Sequence, residues 1–257
     1  MALKNLFSVE GKVVLITGGS RGIGEMIARG YVENGAKVYI SSRKAEVCDR
    51  VAEELSEYGT CISLPFDLGG MDGIEGLANA VKERESRLDV LVNNAGATWG
   101  APIDEYPEDG WDKTVDLNVK SIFFLTQKLL PLLRAAASAD EPARVINIAS
   151  VNGIEPPALE TYAYSTSKAG CIMLTRHLAK RLAPEHILVN AIAPGPFPSK
   201  MMAATLAQAG DAIAKNNPRG RIGQPEDIAG VAIFLGSRAS AYTTGATIPC
   251  DGGSAEV

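Results

Sequence analysis

The chain has 257 residues, 46% hydrophobic and 21% charged, a balance that excludes a disordered chain. Its 25 Lys and Arg against 30 Asp and Glu leave a net charge of −5 with no long basic run, so nucleic-acid phosphates find no electrostatic footprint. No run of about 18 apolar residues exists to cross a membrane, and the opening MALKNLFSVEGKVVLITGG holds no apolar segment apart from a strand. No signal peptide is read, and a cytoplasmic protein is expected.

From the N-terminus onward, short β-branched runs alternate with amphipathic stretches. Strands are expected over 12–16, 37–41, 61–65, 89–93, 144–148, 188–192 and 246–250. Runs such as VVLI and VLV lack polar alternation, which marks strands buried on both faces of a parallel sheet. Between them, Ile23, Ile27, Gly30 and Tyr31 keep a helical period, with Gly35 as a C-terminal cap. Further helices are expected over 45–58, 73–85, 111–136, 164–183 and 225–237. Alternating strands and helices with no linker or repeat predict one doubly wound Rossmann-type α/β domain over 1–257, built on a seven-stranded parallel sheet. The segment 194–218 has no clear period and is rich in Pro, Ala and Met. It is expected to be a substrate lid, with Phe197, Met201 and Met202 suggesting an apolar pocket.

Rare residues exclude some chemistry. Cys48, Cys61, Cys171 and Cys250 form no CxxC and have no metal-ligand spacing, so they read as buried small hydrophobes of a reducing compartment. His177 and His186 are the only histidines and sit in no zinc-binding frame, so no metal is expected.

The first strand runs into Thr17-Gly18-Gly19-Ser20-Arg21-Gly22-Ile23-Gly24, and a helix follows. Glycines there permit a tight turn that brings backbone N–H groups up to a pyrophosphate, and the helix N-terminus adds partial positive charge. Tyr164 and Lys168 stand four apart, one turn along one helix face. An ammonium beside a phenol favours the phenolate, which suits general acid–base work near neutrality. Ser150 ends the fifth strand, at the sheet edge where doubly wound folds bind ligands. Tyr162 does not compete for this role, since Thr166 stands where a lysine is needed.

These motifs continue through Asp67-Leu68, Asn93-Asn94-Ala95-Gly96, Leu117-Asn118-Val119, Pro194-Gly195 and Asp251-Gly252-Gly253. In this order, over essentially the whole chain, they resemble the short-chain dehydrogenases/reductases. Within the family the chain looks most like 3-oxoacyl-[acyl-carrier-protein] reductases, and among these the β-ketoacyl reductase branch linked to rhamnolipid synthesis. The resemblance implies hydride transfer between a nicotinamide and a carbonyl carbon. Tyr164 would protonate the oxygen, Ser150 would hydrogen-bond it, and Lys168 would hold the nicotinamide ribose and act on Tyr164. Asn118 would position a water linking Lys168 to solvent. Cofactor contacts would come from Gly18, Ser20, Arg21, Gly22, Ile23, Gly24, Ser42, Arg43, Asp67, Leu68, Asn94, Ala95, Gly96, Tyr164, Lys168, Pro194 and Gly195. The alternative for Asp67 is a helix-capping residue.

The second strand ends without the carboxylate that binds a ribose 2′-OH, and Ser42 stands where NAD-dependent relatives resemble one another in carrying Asp. Arg43, Arg21 and the Ser42 hydroxyl make a clamp for a 2′-phosphate, so NADP(H) is expected. The alternative is a pair of solvated arginines and a permissive site. Three functions compete: NADPH-dependent reduction of a 3-oxoacyl thioester or related ketone, oxidation of a small alcohol, sugar or steroid, and a nucleotide-binding sensor without turnover. Family resemblance also implies a homotetramer through the helices around 111–136 and 164–183. An acyl carrier protein is a doubtful partner. Where the fatty-acid synthesis reductases resembled here present arginines to that acidic carrier, this chain places Glu141 and Glu185, with Lys180 and Arg181 nearby.

Overall fold

The computed structural model describes residues 3–255. Seven strands form one parallel sheet: β1 (Val13–Thr17), β2 (Lys37–Ser41), β3 (Thr60–Ser63), β4 (Val90–Asn93), β5 (Ala143–Ile148), β6 (Ile187–Pro194) and β7 (Thr247–Cys250). Their spatial order is β3-β2-β1-β4-β5-β6-β7. Val14 pairs with Val38 on one side and Val90 on the other, so the order reverses between β1 and β4. Such a reversal opens a crevice at the carboxyl ends of the strands.

The expected strands match to within a residue or two. The central ones are buried along their whole length, and parallel crossovers cover both faces. On one face α2 (Gly22–Glu33), α3 (Ala45–Ser56) and α9 (Pro225–Gly236) pack through Ile27, Tyr31, Val51, Ile228 and Leu235. On the other, α4 (Met71–Lys82), α6 (Ser121–Ala136) and α7 (Tyr162–Leu182) pack through Leu77, Leu125, Leu129, Ala179 and Leu182. A short α1 (Leu3–Leu6) precedes the sheet. At the end of α2 the cap is Asn34, with Gly35 one residue beyond it; Gly35 N–H bonds to Val32 and Ala36 N–H to Tyr31.

Three features depart from the expectation. The helix expected over 111–136 is two helices, α5 (Glu108–Val115) and α6, joined by a π-helical turn over Asp116–Lys120. The segment 194–218 is not aperiodic coil but contains α8 (Ala203–Asn216), kinked at Ala209. No residue of α8 is buried, and its sequence is rich in alanine with Leu206 and Ile213 as its larger apolar side chains, so its period is easily overlooked. Phe197 is no pocket residue: it is 2% exposed, sits in the core, and its ring fills the space a side chain at Gly223 would need. Met201 alone of the three is well exposed.

All four cysteines are free. Burial pushes the Cys61 thiol up to about 12 and the Cys250 thiol up to about 11, which makes both inert at neutral pH. Among the described residues no helix is long and apolar enough to cross a membrane, and no group of three His, Cys, Asp or Glu could hold a metal ion.

Candidate active site

The glycine turn leaves β1 at Thr17, whose hydroxyl oxygen accepts from the N–H groups of Asn94 and Ala95, each at 2.9 Å. The Asn94 amide returns the contact, donating to the carbonyls of Thr17 (2.9 Å) and Gly18 (3.2 Å). Two motifs distant in sequence are thus laced together across the β1–β4 crevice. Gly18 has φ +65°, and a methyl there would stand 2.7 Å from the Asn94 amide, so the turn needs glycine. Arg21 is the N-cap of α2, and its side chain makes no cap bond. The leading N–H groups of α2, from Gly22, Ile23 and Gly24, therefore keep capacity for an anion. Ser20 is buried beside them and the Arg21 side chain is exposed.

At the end of β2 the hydroxyl oxygen of Ser42 is buried and has no hydrogen-bond partner. Arg43 follows, exposed, with its guanidinium 4.0 Å from Asp67. Asp67 accepts from Gly69 N–H at 3.1 Å, a turn-closing contact before α4. A cleft of about 530 Å³ opens here, lined by Arg43, Asp67, Gly70, Gly73, Lys113 and Leu117. Leu68 is buried, its side chain packed in the core.

Beyond β4, Gly96 lies between two polar groups: a methyl there would stand 3.2 Å from the Asn118 oxygen and 3.7 Å from Lys168 Nζ. Lys168 is 4% exposed, donates to the Ile148 carbonyl at 2.7 Å, and lies 5.6 Å from the Tyr164 ring centroid. Ser150, just past β5, starts a 3-10 turn over Val151–Gly153 and accepts from Asn152 N–H at 3.1 Å. That turn rests on α7. A methyl at Gly153 would stand 2.6 Å from the Lys168 carbonyl carbon and 2.8 Å from Ala169 N. Asn118 sits in the π-helical turn, fully buried; its oxygen accepts from Ala97 N–H (2.8 Å), and its amide donates to Ala97 O and Ser167 Oγ, both at 2.9 Å. Pro194 ends β6, and Gly195 N–H bonds to Cys250 O at 3.0 Å.

The sequence-expected residues thus lie at the carboxyl ends of β1, β2, β4, β5 and β6, in the loop after β3, in the π-helical turn, on the first turn of α2 and on the first two turns of α7. Sequence reasoning missed the residues that brace them. Thr17 locks the glycine turn. A buried chain ties α6, β4, β5 and α7: Asn93 donates to Thr126 (3.3 Å) and to Asn147 (2.9 Å), and Asn147 donates to Thr175 (2.9 Å). Polar residues inside otherwise apolar strands, Asn93 and Asn147, were the available signal, since a buried amide needs partners.

A family model described as enoyl-(acyl carrier protein) reductase matches residues 18–255. A Pseudomonas aeruginosa protein described as a rhamnolipids biosynthesis 3-oxoacyl-[acyl-carrier-protein] reductase is 53% identical, over 96% of this chain and 97% of its own length. The short-chain dehydrogenase/reductase PhomF of Diaporthe leptostromiformis is 33% identical, over 98% of this chain and 94% of its own. The solved Pseudomonas aeruginosa RhlG/NADP active-site complex superposes with a TM-score of 0.93 at 52% identity, covering 97% of this chain and 98% of that one. Glycine turn, parallel sheet, site geometry and these relatives agree: the chain belongs to the short-chain dehydrogenase/reductase family.

Proposed function

We propose that this chain is an NADPH-dependent carbonyl reductase that converts a 3-oxoacyl thioester or related ketone to the 3-hydroxy product. The observation that carries it is that Lys168 donates to Ile148 O at the end of β5 and lies 5.6 Å from the Tyr164 ring, while the turn that Ser150 starts packs on α7 at Lys168. The 3-oxoacyl reductase with 53% identity and the NADP complex of the structural relative support the same reading. The matching family model carries an enoyl-reductase description, and reduction of a carbon–carbon double bond is the outcome to be tested against it.

The residues present fit NADP(H). The unpartnered buried hydroxyl of Ser42 suits an oxygen-rich ligand group, and Arg43 beside it suits a 2′-phosphate. Gly18, Ser20, Gly22, Ile23 and Gly24 would hold the pyrophosphate with Arg21 at its edge. Asp67 and Leu68 would flank the adenine, and Asn94, Ala95, Gly96, Pro194 and Gly195 would line the remaining cofactor. When bound, NADPH supplies the hydride. Tyr164 holds the proton that the carbonyl oxygen receives, and Ser150 donates a hydrogen bond to that oxygen. Lys168, fixed by Ile148 O, would hold the nicotinamide ribose and keep positive charge near the phenol as its proton leaves. Both amide hydrogens of Asn118 are engaged, so a water that links Lys168 to solvent would donate to an Asn118 oxygen.

The same reading includes a lid over 194–218, a cytoplasmic location supported by four unpaired thiols, and a homotetramer. Exposed Trp111, Phe123 and Met173 on α5, α6 and α7 support the assembly. The test is a panel: 3-oxoacyl-CoA, enoyl-CoA, and polyol or steroid alcohols, each with NADP(H) and NAD(H). NADPH-driven loss of the 3-oxoacyl substrate alone is expected. Preferential enoyl reduction, alcohol oxidation alone, or NADPH binding with no turnover would each overturn the proposal.

A further inference from the structure

Ser167 lies between the two residues of α7 proposed for the chemistry, and its hydroxyl bonds to neither of their side chains. It is 1% exposed. Its hydroxyl donates to the Tyr164 carbonyl at 2.7 Å and accepts from the Asn118 amide at 2.9 Å. The Asn118 orientation is not arbitrary: Ala97 offers it both an N–H and a carbonyl, and only one setting of the amide satisfies both. The second amide hydrogen then points to Ser167, the remaining acceptor in a fully buried environment.

π-helical turns are rare within helices and frequent at functional sites, and this one is tied down by a buried contact. Here the contact runs from the Ala97 backbone through Asn118 and Ser167 to the Tyr164 carbonyl. It joins three segments: the loop leaving β4, the π-helical turn before α6, and the first turn of α7. We infer that Ser167 is a positioning residue. Its hydroxyl holds the Asn118 amide, and through it sets the Ala97 loop and the π-helical turn against the turn of α7 that carries Tyr164. Ser167 touches no reacting atom in this account. It acts by fixing where Tyr164 and Lys168 stand relative to Gly96.

The inference rests on the proposed carbonyl reduction only for its kinetic consequence, so the test has two arms. Ser167→Ala removes the acceptor and leaves one buried amide hydrogen unpaired. Hydrogen–deuterium exchange measured on the parent and on Ser167→Ala should show faster exchange over 96–98 and 116–120, with β1 and β2 unchanged. That arm requires no turnover. In the second arm, kcat on the carbonyl substrate that the parent reduces should fall roughly ten-fold, with a smaller rise in KM for NADPH, since Gly96 and Lys168 would also meet the cofactor. Ser167→Thr, whose hydroxyl also bonds the carbonyl one turn back, should restore both readouts. If Ser167→Ala does not fold, Ser167→Cys, a weak acceptor of similar size, takes its place. Parent-like exchange over those segments overturns the inference whatever the substrate. Parent-like kcat in Ser167→Ala, or a loss that Ser167→Thr does not rescue, also overturns it. A parent that reduces no 3-oxoacyl substrate counts against the proposed function, and the exchange arm still decides the role of Ser167.

Discussion

Among single residues, one proton on Tyr164 and one phosphate beside Arg43 would decide the chemistry and the cofactor. Tyr164→Phe removes the proton that the carbonyl oxygen would receive and leaves the ring and its packing over Lys168 in place. Activity should fall by about 10²–10⁴ while NADPH binding persists. Near-normal kcat with unchanged cofactor titration would show that another group donates. The cofactor preference is read from Ser42 and Arg43. Replacing Ser42 with Asp puts a carboxylate where a 2′-phosphate would lie, and Arg43→Ala removes the opposing guanidinium. The double variant should favour NADH in kcat/KM, and equal use of both cofactors by the parent would refute the assignment. These two sites were legible because Tyr164, Lys168 and Ser150 stand at spacings that carry a geometric meaning, and because β2 ends without an acid. Asn118 was legible only through resemblance. Its partners Ala97 and Ser167 could not be read, because hydrogen bonds to a distant backbone leave no periodic trace.

Among the elements, strands were easier to read than helices. The runs around Val14, Val90 and Val145 are apolar on both faces because both faces are covered, and that pattern survives in sequence. The π-helical turn over Asp116–Lys120 contains no Gly or Pro and is flanked on both sides by helical backbone, so the break between α5 and α6 was invisible. Buried Phe197 was misread for the opposite reason. Its neighbours are mobile-looking Pro, Met and Ser, while the contact that fixes it is with Gly223. The contact between the turn Val151–Gly153 and α7 gives an element-scale prediction. Gly153→Ala would drive a methyl into the backbone at Lys168 and push Ser150 and α7 apart. Overpacking of this kind costs about 1–3 kcal/mol, and a misplacement near 1 Å can cost about 10²-fold in rate. A lowered Tm together with a kcat loss much larger than the change in NADPH affinity is expected. A variant with the parent's kcat would mean that this contact does not set the Ser150–Tyr164 spacing.

For the whole molecule, assembly and carrier use are the open properties. Trp111, Phe123 and Met173 are exposed on the helices that the family resemblance assigns to subunit contacts. Light scattering at micromolar concentration should give four chains, and a monomer would refute the assembly. Glu141 and Glu185, read in sequence as repelling an acidic carrier, are internally paired. Glu141 meets Lys12 at 2.5 Å and Arg238 at 3.9 Å, and Glu185 meets Arg134 at 2.6 Å and Arg181 at 2.7 Å. Arg134, and then Arg181, hold the Glu185 carboxyl below its ordinary range. Pairing blunts the repulsion but also occupies the guanidiniums an acidic carrier would need. Reduction of CoA-linked substrates should therefore be at least as good as that of carrier-linked ones with matched acyl chains. A strong carrier preference that weakens with salt would contradict this. The central claim, hydride delivery to a carbonyl carbon under Tyr164, is tested most directly by isotope transfer. The purified protein is given a 3-oxoacyl-CoA and NADPH carrying deuterium at the transferable position of the nicotinamide. The account predicts a 3-hydroxyacyl product with deuterium on carbon 3, and none of it from Tyr164→Phe on the same timescale. A saturated product labelled elsewhere on the chain, or no labelled product at all, would contradict it.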